Sequence, residues 1–228
     1  MANIGLVLTG GGARGAYQAG ALRALAEISP SEESPFQIIT GVSAGAINAA
    51  YIAAHADDFR TASSNLWDLL AGLKISRIFR TDAPSLLQTG LRVMKDLSSG
   101  GVLQSRHSPN LLKTDPLREL LAANIDFDRL NSLIGPSSNL QAFGVTAVNY
   151  ATGSAVTFFN SSSEDIEWQR PQRVSRPTEI QLDHVMASAS IPVFFPPVRL
   201  NGSYFGDGCM RLMAPLSPAI HLGADQLL

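Results

Sequence analysis

The sequence predicts an α/β fold built on a mainly parallel sheet, and three observations carry that expectation. Near the N-terminus an apolar run passes into a glycine-rich turn and then into a helix-forming stretch, and the same plan follows a second time. The apolar runs are continuous rather than alternating, which is the pattern of strands covered on both faces. The chain has 228 residues, 45% hydrophobic and 16% charged, enough for one domain with a full core and short for two.

The first strand is expected over Ile4 to Leu8, its turn over Thr9 to Gly15 and its helix over Ala16 to Ile28. The second set is Phe36 to Thr40, Gly41 to Gly45, and an alanine-rich helix over Ala46 to Ala56. Between Asp57 and Asn110 the pattern is helical but broken. Trp67, Leu69, Leu70 and Leu73 mark one apolar stripe, Leu86 to Leu97 a second, and Ser-Ser-Gly-Gly at 98 to 101 interrupts them. These read as helices laid over the sheet, with the broken part a candidate cap. Asp115 to Ala123 reads as a short helix, with Asp115 as N-cap and Pro116 at the first helical position.

Leu140 to Asn149 and Ala155 to Phe159 flank Tyr-Ala-Thr-Gly-Ser and read as a hairpin. Leu182 to Ser190 is expected to be helical until the three prolines of Ile191 to Pro197 end it. Val198 to Leu200, a turn at Asn201-Gly202, and Tyr204-Phe205 then lead into Gly206-Asp207-Gly208. An apolar segment begins within Gly223 to Leu228, so the natural protein is expected to continue past it.

Composition excludes several classes. Lys and Arg total 17 and Asp and Glu 19, a net charge of -2 without a long run of either sign, so no general electrostatic grip on nucleic acid is expected. Cys209, the one cysteine, can form neither an internal disulfide nor a four-thiolate metal site. The N-terminus has no basic region followed by an apolar stretch, and no window reaches the roughly 18 to 20 apolar residues of a spanning helix. A cytoplasmic location with peripheral membrane contact is the expectation.

The two glycine turns carry the chemistry. Gly10-Gly11-Gly12-Ala13-Arg14-Gly15 lies between a strand and a helix and fits G-x-G-x-x-G. Such a run lets backbone N-H groups converge on one anion, either a pyrophosphate or the oxyanion of an acyl-transfer intermediate. Gly41-Val42-Ser43-Ala44-Gly45 is G-x-S-x-G in the strand-to-helix setting of a nucleophile elbow, where Ser43 sits in a sharp turn and the positions two before and two after it must be small. A serine needs a base. The four histidines, His55, His107, His184 and His221, lack a glycine-framed setting, whereas Asp207 lies between Gly206 and Gly208. Taken alone, Asp207 reads better as an ordinary turn aspartate. Arg14 reads either as support for the anion or as a helix arginine paired with a carboxylate, and Cys209 as a small buried side chain.

These residues resemble the patatin-like phospholipase family over most of the chain. The matching elements are Gly10 to Gly15, Gly41 to Gly45, Ala187-Ser-Ala-Ser-Ile-Pro192 with Phe195, Asp207-Gly208, and Pro215-Leu-Ser-Pro-Ala219. The resemblance implies a three-layer α/β/α sandwich and a catalytic dyad of Ser43 and Asp207. In it Gly10 to Gly15 form the oxyanion turn, Gly41 and Gly45 frame the elbow, and Gly208 supports the acidic motif. It further implies hydrolysis of phospholipid or other fatty-acyl esters with no metal or other cofactor. One departure is visible, since the family usually has Gly or Ala where this chain has Cys209. Three alternatives stay open: a triad in the order Ser43, Asp207, His221, a nucleotide-binding protein holding a pyrophosphate at Gly10 to Gly15, and a non-catalytic lipid- or partner-binding domain of the same fold. Oligomeric state is not encoded.

Overall fold

The computed structural model describes residues 2-74, 78, 112, 114-163, 166-211 and 215-228. The candidate cap at Leu86 to Leu97 lies outside the described residues, as does His107. In chain order the elements are β1 (Ile4–Leu8), α1 (Gly15–Ile28), β2 (Ile38–Val42), α2 (Ala44–Ala53), α3 (Phe59–Ala71), α4 (Asp115–Asn124), α5 (Phe127–Ser132), β3 (Ala142–Asn149), β4 (Ala155–Ser161), β5 (Gln169–Arg170), β6 (Arg173–Pro177), α6 (Leu182–Ser188), β7 (Val198–Leu200), β8 (Ser203–Asp207), α7 (Leu216–His221) and β9 (Gln226–Leu227).

The strands form one mixed sheet in the order β5-β6-β4-β3-β2-β1-β9, with β8 pairing both β3 and β7. Its central run, β9-β1-β2-β3, is parallel throughout. The expected hairpin is present as β3 and β4, paired antiparallel from Ala142 opposite Ser161 to Val148 opposite Ala155.

The two faces are covered unequally. One face, with Leu6, Leu8, Ile39, Phe143 and Val145, packs against α1, α2, α3, α4 and α6 in a single large core. The opposite face, with Ile38, Ala142 and Phe159, packs against Ala219 and Leu222 of the α7 region and against Trp168. Fully burying a side chain such as Phe59, Phe143 or Leu130 stabilises the fold by about 1.5 to 3 kcal/mol each, so the thick layer holds most of the apolar free energy. The α/β class with helices flanking a mainly parallel sheet is as expected.

Several boundaries differ from the expectation. The second strand starts at Ile38 rather than Phe36, because Phe36 turns out of the sheet to pack edge-on against Phe59 with ring centroids 5.6 Å apart. The helix after it begins directly behind Ser43, at Ala44. The N-cap of α4 is Thr114, with Asp115 already in the first turn.

Candidate active site

One strand aligns both ends of the site. β4 occupies one edge of β3, so β2 and β8 share the other. β2 runs parallel to β3 and ends with Val42 opposite Thr146, while β8 runs antiparallel and ends with Asp207 opposite Ala147. The two strands therefore stop head to head, and the residue after Val42 meets the last residue of β8. The Ser43 hydroxyl donates to Asp207 Oδ2 at 2.6 Å.

The elbow is tight for a steric reason. Ser43 adopts φ 56, ψ -128, a region that costs a non-glycine residue free energy and persists only where packing enforces it. A Cβ on Gly45 would lie 2.2 Å from the Leu8 carbonyl oxygen, and one on Gly41 would lie 2.6 Å from Ala46 Cα. Both glycines are needed to let β1, β2 and α2 approach. Ser43 itself stands at the N-terminus of α2, where the helix dipole favours negative charge.

The carboxylate is buried and held at both oxygens. Asp207 is 4% exposed. Its Oδ1 accepts the Cys209 N-H at 2.8 Å, capping the short 3-10 turn Gly208–Met210. Gly208 lies so close to β3 that a Cβ there would sit 2.2 Å from the Thr146 oxygen. The Cys209 thiol is half-buried beside Asp207, Ser43 and Gly10, and burial followed by the Asp207 charge pushes it up to about 11. It stays a neutral thiol at physiological pH and is a poor nucleophile. Tyr150 also borders the carboxylate; burial first, and then the Asp207 charge, raises its pKa.

Gly12–Arg14 form one 3-10 turn leading into α1. The first N-H groups of a helical start have no partner within the helix, and Gly12 and Ala13 both line the cavity onto which Ser43 opens. Gly12 has φ +57, in the left-handed region that favours glycine. A Cβ on Gly10 would meet Cys209 Sγ at 2.2 Å, so this glycine lets the turn close down on the dyad. Gly11 is exposed and Gly15 is buried at the start of α1. Arg14 is exposed, forms no ion pair among the described residues and is not among the cavity-lining residues.

The cavity has a volume of about 440 Å3 and runs from Ser43 along α2, past Ile47 to Tyr51, between the leucines of α3 and those of α4. Leu69, Leu70 and Leu73, read from sequence as helices over the sheet, form one of its walls. Its lining is almost wholly apolar, with Asn48 and Asn124 the polar side chains besides Ser43 and Tyr51.

Sequence reasoning missed the role of Ser188. Its Oγ accepts the Ser43 N-H at 3.0 Å and donates to the Thr146 carbonyl at 2.6 Å. The signal lay in the Ala187 to Pro192 motif, which had matched without a function assigned. None of the three described histidines touches the dyad. His55 stacks on Tyr51, His184 packs against Phe158, and His221 stacks on Trp168 at 4.8 Å on the opposite face of the sheet. Among the described residues no group of three or more His, Cys, Asp or Glu side chains is arranged to hold a metal ion. No described helix is long and apolar enough to cross a membrane.

A parallel-centred sheet thus brings a serine elbow and a facing aspartate together on an α/β fold. Residues 6-220 match the family described as patatin-like phospholipase. The chain belongs to that family, whose members are generally serine lipid hydrolases. Among solved structures it is similar to VipD from Legionella pneumophila, at 17% identity and a TM-score of 0.51, covering 91% of this chain and 46% of that one. A second similarity is to the ExoU-SpcU complex from the type III secretion system of Pseudomonas aeruginosa, at 22% identity and a TM-score of 0.29, covering 68% of this chain and 32% of that one. The chain thus spans less than half the length of either. No curated protein matches it.

Proposed function

We propose that this chain hydrolyses carboxylic esters of lipids through an acyl-enzyme on Ser43, with Asp207 as the base. The observation that carries the reading is the 2.6 Å Ser43-Asp207 hydrogen bond at the mouth of an apolar cavity. The Ser43 oxygen attacks the ester carbonyl as its proton passes to Asp207. N-H groups of Gly11, Gly12 and Ala13 face the developing oxyanion, where a displaced donor is worth about 3 kcal/mol of barrier. Asp207 returns the proton to the departing alcohol, and water, activated by the same carboxylate, releases the acid. A carboxylate base suits an ester better than an amide, since an alcohol leaves with less acid assistance than an amine. The fatty-acyl chain lies along α2, and the head group stays outside.

The triad alternative loses support because His221 stacks on Trp168 and both Asp207 oxygens already have partners. The pyrophosphate alternative loses support because Gly12 and Ala13 border an apolar cavity shared with Ser43. A fluorophosphonate probe tests the proposal: it should label wild-type protein at Ser43 and leave Ser43→Ala unlabelled. Comparison of the two proteins on a mixed lipid extract should then show which lipid class disappears. Persistent labelling of Ser43→Ala would refute the assignment.

A further inference from the structure

Away from the dyad, the hairpin of β5 and β6 brings like charges together. Its turn residues are Pro171 and Gln172, and the register sets Arg170 directly opposite Arg173. Like charges in that relation repel across a strand pair. Among the described residues neither arginine has a carboxylate partner, the ion pairs there being Arg23-Glu27, Arg60-Glu32, Arg118-Asp183 and Arg129-Asp57. A third cation joins them, since Arg211 Nη1 donates to Gln172 Oε1 at 3.2 Å, and Gln172 holds φ 60 at the turn. The three side chains border a hollow of about 410 Å3 completed by Ser217 and His221, with no acidic residue among the described residues of its lining.

We propose that Arg170, Arg173 and Arg211 form a binding site for a phosphate-type anion, carried either by a free phosphate or by a lipid head group. Guanidinium forks match phosphate oxygens two at a time, and an anion between the three turns their repulsion into attraction. Ser217 and Gln172 supply neutral hydrogen-bonding groups at the same place. The His221 pKa is lowered, by burial first and by the Arg170 charge second. The site lies at the same end of the sheet as the dyad. Gly206, Val148, Ala155 and Arg173 stand in one row across β8, β3, β4 and β6, three strand spacings or about 14 Å. The inference stands on these residues and does not depend on the esterase reading.

Trp168 stacks on His221 and reports on the hollow. In a Trp67→Phe background it is the one remaining tryptophan, and inorganic phosphate added at constant ionic strength should change its fluorescence saturably. A second arm floats the protein with vesicles of ether-linked phosphatidylcholine, with or without about a fifth of ether-linked phosphatidate, which an esterase cannot cleave. The triple variant Arg170→Gln/Arg173→Gln/Arg211→Gln should lose on the order of 100-fold in affinity. Arg211→Gln alone, which removes one exposed side chain, should lose on the order of fivefold if the triple variant fails to fold. Response to phosphate alone identifies a free anion as ligand, response to anionic vesicles alone identifies a head group, and response to both admits either source. Equal responses of wild type and variants in both arms would overturn the site.

Discussion

Ser188 Oγ accepts the backbone N-H of Ser43 at 3.0 Å and donates its own O-H to the Thr146 carbonyl at 2.6 Å. Thr146 pairs with Val42 at the last rung between β3 and β2. The serine hydroxyl thus continues the ladder for one more step, at the place where Ser43 leaves the strand in a strained conformation. Ser188 is fully buried, so neither of its partners has water as a substitute.

The first prediction follows from that bridge. Ser188→Ala leaves a buried donor and a buried acceptor unpaired, at a cost of about 1 to 3 kcal/mol of stability. If the bridge also positions Ser43, kcat for a short-chain nitrophenyl ester should fall on the order of tenfold or more with KM nearly unchanged. Denaturant titration and steady-state kinetics separate the two effects. A destabilised protein with unaltered kcat would mean that Ser188 supports the fold alone.

A second prediction concerns the base. Asp207→Asn should abolish turnover, because an amide cannot take the serine proton, while His221→Ala should leave the rate nearly intact. The motive is the placement of His221 against Trp168 and Arg170. If His221→Ala lost several orders of magnitude in kcat while remaining folded, the dyad would be wrong.

Much of this was legible in the sequence, and the reasons are local. The turns at Gly10 to Gly15 and Gly41 to Gly45 announce themselves because a Cβ at Gly10, Gly41 or Gly45 would clash and Gly12 takes a positive φ. The β3-β4 hairpin is legible because its strands and turn are contiguous. The meeting of Ser43 with Asp207 is of another kind, since it spans 164 residues and depends on β2 and β8 sharing one edge of β3. Motif resemblance supplied that pair; strand patterning could not. The cavity was hidden for a similar reason: Leu69, Leu70 and Leu73 carry the same periodicity whether a helix packs on a core or lines a chamber. The hairpin of β5 and β6 went unread because its strands are two and five residues long and rich in arginine, without the apolar alternation that marks a strand.

The third prediction is a pH dependence of stability. His184 is buried, its Nδ1 accepts the Gln181 N-H at 3.0 Å, and burial lowers its pKa more than the neighbouring Asp183 carboxylate raises it. The unfolded chain therefore takes up this proton as pH falls through about 6.5, and the folded chain only at lower pH. Between those points the unfolded state binds more protons, so stability is full above that range and declines as pH falls through it. His221 is shifted in the same direction and adds to the slope. Melting temperatures measured from neutral pH downward should fall in this window. His184→Gln, which keeps an acceptor for the Gln181 N-H, should flatten part of the decline; an unchanged slope would assign it elsewhere.

The last prediction addresses what the cavity holds. Ile47 lies one helical turn beyond Ser43 on α2 and lines the chamber, with Tyr51 a further turn along. At 1.5 Å per residue, Ser43 to Tyr51 spans about 12 Å, so an acyl chain seated on Ser43 passes Ile47 early and Tyr51 later. Ile47→Trp narrows the passage near its start while leaving the dyad and the Gly12 turn untouched. Short acetyl esters end before the obstruction and should be cleaved at close to the wild-type rate. Long-chain esters must give up apolar contact beyond it, which for a hydrophobic pocket is worth about 10- to 200-fold in kcat/KM. A series of nitrophenyl esters of rising chain length should therefore show wild type and variant parting as the chain lengthens. Equal losses at every length would mean that the acyl chain does not enter along α2 and lies instead on the outer surface.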